Sequence, residues 1–201
     1  MELLFHDRDL AVVVKAIGAD SEHDVPQWIR EQLGGEVFTV HRLDRNVGGV
    51  MVYARTKQAA AALSKAITDG VMVKEYLAVV HGTPPEEGEL CDLLFKDSHK
   101  NKVFVVKRMR RGVKEAKLAF RRLGGNDNAS LVAVRLFTGR SHQIRVQFAS
   151  RGFPLLGDHK YGARDGMEHP MLFSHRLTFP YGGETRTFEA RPEWDTNLQI
   201  L

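Results

Sequence analysis

The sequence contains a single cysteine, Cys91, and no long apolar run. One cysteine cannot form an intramolecular disulfide, and a cysteine-rich zinc site is excluded. The apolar stretches, such as residues 77–80, are far shorter than the roughly 20 residues that a membrane-spanning helix needs. The N-terminal residues show no basic region followed by an apolar stretch, so we expect neither a secretion signal nor a membrane partner. These absences predict a cytoplasmic protein.

Motifs for nucleotide or metal binding are also missing. The sequence has no phosphate-binding loop of the Gly-x-x-x-x-Gly-Lys type and no Gly-x-Gly-x-x-Gly turn. Its nine histidines are scattered, and His41 with Asp44 supplies only two potential metal ligands. These residues therefore predict neither a nucleotide cofactor nor a metal.

The composition is that of a folded chain, with 43% hydrophobic and 27% charged residues. This balance excludes a disordered or fibrous protein. A length of 201 residues without an internal repeat or a Pro/Gly/Ser-rich linker predicts one domain that spans residues 1–201.

Basic residues are concentrated in one part of the chain. Residues 96–122 contain eleven Lys and Arg and only two acidic residues, Asp97 and Glu115, so this segment carries a charge of +9. The remainder, with eighteen basic and twenty-three acidic residues, carries −5. Such a basic segment is typical of a surface that binds a polyanion such as nucleic acid. The alternative is a solvated strand face without a partner.

The most basic stretch of this segment is residues 107–112. The apolar residues that precede it, 103–106, favour an ordered hairpin over a disordered tail, and we interpret residues 107–112 as the tip of that hairpin. Its three arginines are candidates for gripping phosphates: Arg108, Arg110 and Arg111.

Strand and helix patterns alternate irregularly along the chain. Runs rich in β-branched and apolar residues predict strands at 10–15, 49–54, 71–81, 171–179 and 185–190. Residues 101–137 are also predicted to form strands, the last of them at 130–137. Helix signals follow Asp24, Thr56 and Ser141, where a polar residue can cap each N-terminus. Because regular βαβ alternation is missing, we predict an α+β fold with a mixed, mostly antiparallel central sheet flanked by helices and loops.

The densest group of reactive side chains lies in residues 41–56. Asp44 falls in a predicted loop, between Arg42 and Arg45 and ahead of Gly48-Gly49. Guanidinium groups favour the ionised form of a neighbouring carboxylate, which suits a nucleophile better than a general acid. By spacing alone, Asp44 is also compatible with a structural ion pair at the start of a strand.

Residues 41–56, with His-Arg-Leu-Asp-Arg, a Gly-rich turn and a strand ending in Ala-Arg-Thr, closely resemble the catalytic motif of RluA-family RNA pseudouridine synthases. Three other stretches match motifs of that family in the same order: the lysine-x-tyrosine strand at 73–78, the threonine-glycine-arginine-x-histidine-glutamine-isoleucine-arginine motif at 137–145, and the glycine-aspartate-x-x-tyrosine-glycine segment at 152–162. The stretch from residue 174 also fits. Since the matches run from about residue 10 to 192, the chain is identified as a member of the family.

The resemblance implies the pseudouridine synthase fold and a known reaction. Uracil is detached from C1′ of its ribose, rotated, and rejoined through C5, which requires no cofactor. The resemblance also implies that Asp44 is the nucleophile and that Tyr76 and Arg140 are the other catalytic residues. The expected substrate-binding residues are Arg42, Arg45, Ile144, Arg108, Arg110 and Arg111.

The implied partner is structured RNA, either ribosomal or transfer RNA. A stacked uridine cannot reach a buried carboxylate, so the target nucleotide must be flipped out of the RNA. Arg42 and Arg45 flank Asp44 and are placed to hold phosphates or to fill the vacated stack. We expect the protein to act as a monomer.

The chain departs from the family pattern at two positions. Ala16 follows Lys15 where the family usually has proline, and Gln147 stands where histidine is common. We also expect no small S4 RNA-binding module ahead of the catalytic region, because residue 10 already belongs to that region.

Two other functions are compatible with parts of the sequence. A non-catalytic RNA-binding or chaperone protein could use the same scaffold, but it would have little reason to keep Asp44, Tyr76 and Arg140 together. A glycosidase-like hydrolase could use Asp44, but no second carboxylate near the motif is evident as the proton donor.

Overall fold

The computed structural model describes residues 1–194. The last seven residues of the predicted single domain lie outside the described residues, and the single domain stays a prediction. The chain forms two compact units: one comprises Met1–Lys74 with Phe173–Pro192, and the other consists mainly of Glu75–Leu172. Within residues 1–194, no helix is long and apolar enough to span a membrane.

The first unit contains two helices and a group of paired strands. The elements are β1 Glu2–His6, β2 Leu10–Lys15, α1 Asp24–Leu33, β3 Phe38–Thr39, β4 Gly48–Ala54, α2 Lys57–Thr68, β10 Leu172–Tyr181 and β11 Glu184–Glu189. Strands β1, β2, β4 and β10 are hydrogen-bonded in this order, and β3 also pairs with β4 and β11 with β10. The β4–β10 pair is parallel and the others are antiparallel.

The core of the first unit forms between β4 and α2. Every residue of β4 is buried, and Val50 and Val52 pack with Ala59 and Leu63 of α2. Thr56 caps the helix as predicted, because its hydroxyl accepts the Ala59 N–H at 3.2 Å. An apolar strand beside a capped amphipathic helix therefore gives a fixed base for the loop that precedes β4.

Gly49 is required where that loop enters β4. Its φ is +122°, a conformation that residues with a side chain rarely adopt. A Cβ atom at this position would also overlap the backbone of Ser174 on β10. The close approach of β4 and β10 therefore depends on Gly49.

The second unit is built around an antiparallel sheet and one short helix. The elements are β5 Val73–His81, β6 Glu87–Asp97, β7 Lys102–Val106, β8 Val113–Gly125, β9 Ala129–Leu136, α3 Gln143–Ala149 and a 3₁₀ turn at His159–Tyr161. The strands are hydrogen-bonded in the order β5, β9, β8, β6, β7, and the β9–β8, β8–β6 and β6–β7 pairs are antiparallel. Together the two units confirm the α+β prediction.

One face of this sheet is covered by α3. The ring of Phe148 packs edge-on against Phe120 of β8 with ring centroids 5.2 Å apart, and Val146 packs with Leu94 and Ala116. The opposite face of β8 and β9 carries exposed polar side chains. The sheet is therefore amphipathic, as the alternation of buried and exposed residues along β8 requires.

The interpretation of residues 107–112 as a hairpin tip is wrong. Strand β6 lies between β7 and β8, so this segment crosses β6 instead of joining neighbouring strands. The Arg110 guanidinium accordingly lies 4.9 Å from the ring centroid of Phe95 on β6. The true hairpin turn joins β6 and β7 at residues 98–101.

The Gly49→Ala substitution should reveal how strongly the first unit depends on the close approach of β4 and β10. Gly70 also has a positive φ, +71°, but has open space around it, so Gly70→Ala is the matched control. We expect Gly70→Ala to lower the unfolding free energy by about 1–2 kcal/mol, the cost of the backbone conformation. Gly49→Ala should cost at least about 3 kcal/mol because the overlap with Ser174 adds to that cost.

Denaturant titration of both variants measures these differences. Equal losses for the two variants would show that the overlap at Gly49 is relieved by a small shift of β10.

Candidate functional site

Asp44 lies in the loop between β3 and β4 and is half-buried. Its backbone carbonyl accepts the Val47 N–H at 3.0 Å, which closes a tight turn. The side chains of Leu43 and Val47 are buried on either side. The buried side chains of Leu43 and Val47 thus hold the loop in place, and Asp44 lies between them.

Lys15 fixes the same loop from the end of β2. Its side chain is only 1% exposed, and its ammonium donates to the carbonyl oxygens of Ala16 at 3.0 Å, Ala19 at 2.8 Å and Arg45 at 3.1 Å. Burial lowers the pKa of Lys15 to about 8, against the attraction of Asp20 and Asp44, which raises it. Lys15 therefore holds the backbone of Arg45, next to Asp44, by a hydrogen bond, and its buried ammonium lies close enough to attract the Asp44 charge.

Lys15 was absent from the predicted site residues. The available signal was a lysine at the end of an otherwise apolar strand. The departure at Ala16 is compatible with this role, because the lysine uses the carbonyl of residue 16 and not its side chain.

Arg42 and Arg45 are both exposed, and both pair with residues 18–24, which lead into the start of α1. Arg42 contacts Glu22 at 2.9 Å. Arg45 donates to the carbonyl of Gly18 at 2.8 Å and lies 3.7 Å from Asp24. Exposed pairs of this kind contribute only about 0–1 kcal/mol each, so both guanidiniums can exchange partners.

His41 has a structural role in the same loop. Its Nε2 accepts the Val52 N–H of β4 at 3.1 Å. Burial and, to a smaller extent, the charge of Lys74 lower the pKa of His41 to about 3. The ring is therefore neutral at pH 7 and carries its proton on Nδ1. Because Nε2 is occupied by a backbone donor, His41 anchors the loop to β4.

In the second unit, Tyr76 is buried within β5 and Ile144 is buried within α3. Both positions would be expected of core residues as well as of an apolar wall against a substrate. Burial restricts the motion of both side chains. The structure therefore makes them rigid surfaces for packing.

Arg140 is exposed, and the turn that carries it is held by Gln143. Gln143 accepts the Arg140 N–H at 3.0 Å and the Thr138 hydroxyl at 2.8 Å, and its amide donates to the Lys117 carbonyl at 3.1 Å. The Arg140 side chain donates to the carbonyl of Glu115 at 2.9 Å. A single buried amide thus fixes this turn against β8.

This contact also corrects the prediction that Ser141 caps α3. The helix begins at Gln143, after His142 in a left-handed conformation, and no side chain at that boundary acts as the cap. The side chain of Gln143 turns back to the preceding residues instead. Gln143 was absent from the predicted site residues, although it lies in the matched motif.

The motif at 152–162 supplies a buried ion pair beneath α3. Asp158 accepts two hydrogen bonds from the Arg145 guanidinium, at 2.7 and 2.8 Å, and both side chains are almost completely buried. The Tyr161 hydroxyl accepts the Val103 N–H of β7 at 2.9 Å. These motif residues therefore support the scaffold of the second unit.

Gln147, which departs from the family pattern, is fully buried. Its amide donates to the Asp92 carboxylate at 2.7 Å and to the Leu90 carbonyl at 3.2 Å. Arg151 also contacts Asp92, at 2.9 Å. Gln147 thus links α3 to β6, and the structure gives it a packing role.

The predicted site residues are distributed between the two units. The first unit holds Asp44, Arg42 and Arg45 in one loop. The second holds Tyr76, Ile144 and Arg140. Residues 107–112, the crossing segment that connects β7 to β8 across β6, expose three arginines of the second unit: Arg108, Arg110 and Arg111. Across residues 1–194, no group of three His, Cys, Asp or Glu side chains could hold a metal ion.

Comparison with known proteins places these features in a family. The profile of the RNA pseudouridylate synthase family matches residues 10–150. Ribosomal large subunit pseudouridine synthase D of Zymomonas mobilis is 36% identical over an alignment of 190 positions, which covers 87% of this chain and 60% of that protein. The dual-specificity RNA pseudouridine synthase RluA of Vibrio vulnificus is 31% identical over an alignment of 211 positions, which covers 99% of this chain and 82% of that protein. The chain thus spans less than two thirds of the Zymomonas relative.

Solved structures share the fold. Human RNA pseudouridylate synthase domain containing 1 superposes with a TM-score of 0.85 at 22% identity, over 98% of this chain and 85% of that chain. Human RNA pseudouridylate synthase domain containing 4 gives 0.81 at 23% identity, over 96% and 89%. The predicted fold and the family resemblance are both confirmed.

Breaking the buried pair should strongly destabilise the second unit. Arg145→Met leaves Asp158 buried without its bidentate partner, and we expect a loss of about 3–5 kcal/mol in unfolding free energy. The double variant Arg145→Met/Asp158→Leu removes both charges and should recover much of that loss. Urea unfolding of the three proteins measures the difference, and a double variant as unstable as the single one would contradict it.

Proposed function

Because the chain belongs to the RNA pseudouridylate synthase family, we propose that it converts specific uridines to pseudouridine in structured RNA, either ribosomal or transfer RNA. The observation that carries the proposal is the Asp44 loop. A half-buried carboxylate stands between two exposed arginines, on a backbone fixed by buried Lys15 and by His41. The proposal includes action as a monomer in the cytoplasm.

In the proposed reaction Asp44 acts as the nucleophile on a flipped-out uridine. Asp44 bonds transiently to the sugar or to the base, and this bond breaks again before the product leaves. Overall, the bond between N1 and C1′ breaks, uracil rotates, and a bond forms between C5 and C1′. The proton on C5 is lost and N1 gains one, so no atom or electron is added overall. A rigid loop suits this chemistry, because a nucleophile must be held at a fixed distance and angle from the atom that it attacks.

Tyr76 and Arg140 are proposed as the other catalytic residues, with Ile144 as an apolar contact for uracil. The buried ring of Tyr76 offers a fixed stacking surface, and its hydroxyl can take part in proton transfer. The Arg140 side chain lies on the surface, and its turn is held by Gln143. Its guanidinium can therefore contact a substrate or a carboxylate without disturbing the core.

RNA binding supplies the energy for flipping the target nucleotide. Arg42 and Arg45 can exchange their exposed carboxylate partners for phosphates at small cost. Residues 107–112 add a second cationic surface on the sheet of the second unit. Each neutralised phosphate releases counterions, which favours binding in a manner that falls with salt.

Asp44→Asn is the decisive test of the reaction. The substitution keeps the shape of the side chain and removes its charge, so isomerisation should fall to background while RNA binding persists. The substrate is total RNA from cells that lack the gene, and pseudouridines are mapped before and after incubation. Asp69→Asn, which changes an exposed carboxylate on the far end of α2, is the matched control and should retain activity.

Two outcomes would count against the proposal. Isomerisation by Asp44→Asn above background would remove the role of nucleophile from Asp44. RNA binding by the wild-type protein without any new pseudouridine would favour the alternative, a non-catalytic RNA-binding protein.

The crossing segment is expected to bind RNA and to take no part in the chemistry. Replacing Arg108, Arg110 and Arg111 by Gln should weaken affinity and lower the salt dependence by roughly two to three units of slope, at about 0.7–0.9 per phosphate contact. The rate at saturating RNA should change much less.

A control variant removes the same charge elsewhere, with Arg8, Arg30 and Lys57 replaced by Gln. These three residues are exposed and lie in the first unit, outside residues 41–56. Affinity titrations at several salt concentrations compare the two variants. An equal effect of both would show that only net charge matters and that the crossing segment makes no phosphate contacts.

A further inference from the structure

Phe137 is an exposed aromatic residue for which the proposed reaction has no use. It follows β9 directly and is 46% exposed. Its backbone N–H and that of Thr138 both bond to the Lys117 carbonyl, at 3.1 and 3.2 Å. The ring is therefore carried by ordered backbone, and its exposure does not come from a loose loop.

Two cations flank the ring. The ammonium of Lys117 lies 5.2 Å from the Phe137 ring centroid, and the Arg135 guanidinium lies 5.6 Å from it. Arg135 is two residues earlier on β9, and Lys117 is the neighbour on β8, so all three side chains stand on the same face of the sheet. This is the face opposite the one that α3 covers.

The space beside this cluster is lined by small side chains. Ala119 is paired with Arg135, and Ala133 lies two residues before Arg135 on the same face. Both alanines are half-buried and too short to cover the ring. In the described residues, Arg135 has no carboxylate within ion-pair distance, whereas Lys117 contacts Glu89 at 2.9 Å. The cluster thus keeps at least one cation for an outside partner.

From this arrangement, and resting on the proposed function, we propose that Phe137, Lys117 and Arg135 form a stacking site for an unpaired nucleobase of the substrate RNA. The ring supplies a flat apolar surface on which any base can stack, and the cations neutralise the adjacent phosphates. A duplex hides its base faces, so the site is selective for single-stranded nucleotides.

The site is connected to the turn of Arg140 through Gln143. The Gln143 amide donates to the Lys117 carbonyl, and its oxygen accepts the Arg140 N–H. Stacking at Phe137 therefore holds an RNA strand next to a turn that carries a proposed catalytic residue. This arrangement explains why an aromatic residue is exposed at this position.

The test measures binding to two RNA probes, single-stranded poly(U) and a poly(A)·poly(U) duplex. Phe137→Ala should weaken poly(U) binding by roughly 5- to 100-fold, the effect of losing one base-stacking ring. Duplex binding should change by less than about twofold, since only phosphate contacts are available there. Phe137→Trp should restore poly(U) affinity, because it restores the aromatic surface.

Leu123→Ala is the matched control, because Leu123 is an equally exposed apolar residue, 46%, on β8. It should leave both affinities unchanged. Phe137→Trp also gives a direct signal: stacking of uracil should quench its fluorescence beyond the change that the wild-type protein shows.

Unchanged poly(U) affinity in Phe137→Ala, or an equal loss for both probes, would overturn the stacking site. Absence of extra quenching in Phe137→Trp would do the same. These outcomes are independent of isomerisation, which is measured on total RNA. If the wild-type protein makes pseudouridine while Phe137→Ala binds poly(U) normally, only the stacking site fails; if no pseudouridine forms but the predicted losses appear, the proposed reaction fails and the RNA site stands.

Discussion

The buried ammonium of Lys15 is the interaction on which the candidate active loop depends. A cation removed from water is stable only when its hydrogen bonds are replaced, and three carbonyl oxygens do so here. One of these belongs to Arg45, next to Asp44, so the position of the loop follows from the need to satisfy the ammonium. His41 adds a second anchor, since it accepts a backbone N–H of β4. The loop is exposed enough to carry function and is still rigid.

In the second unit, too, buried polar side chains hold segments of the chain in place through hydrogen bonds. Gln143 is buried and satisfies both a carbonyl on β8 and the N–H of Arg140. The pair of Arg145 and Asp158 satisfies two further buried charges beneath α3. Gln143 thus holds the turn that carries the exposed Arg140, as Lys15 holds the loop that carries the exposed Arg45. Removing such a side chain leaves unsatisfied groups, which costs about 1–3 kcal/mol for a neutral group and more for a charge.

The sequence allows the buried elements to be predicted better than the exposed ones. Strand β2 is an unbroken apolar run, and Thr56 is followed by an amphipathic helix, so both have strong local signals. Strands β1 and β6 were not predicted, because polar and apolar residues are mixed in them without a clear period. The crossing of β6 by residues 107–112 depends on the order of strands, which no local pattern encodes. The motif residues Asp44, Tyr76 and Arg140 were predicted from resemblance, whereas Lys15 and Gln143 act through backbone contacts that spacing does not reveal.

Arginine has two different uses in this chain, and burial separates them. Arg145 is enclosed with Asp158, so exchanging its partner would leave a buried charge without compensation. Arg42 and Arg45 face water, where a carboxylate contact is worth about 0–1 kcal/mol and is screened by salt. A phosphate can displace Glu22 or Asp24 from these residues at little cost. The proposed function needs both properties at once, a loop that stays in place and surface cations that can change partners.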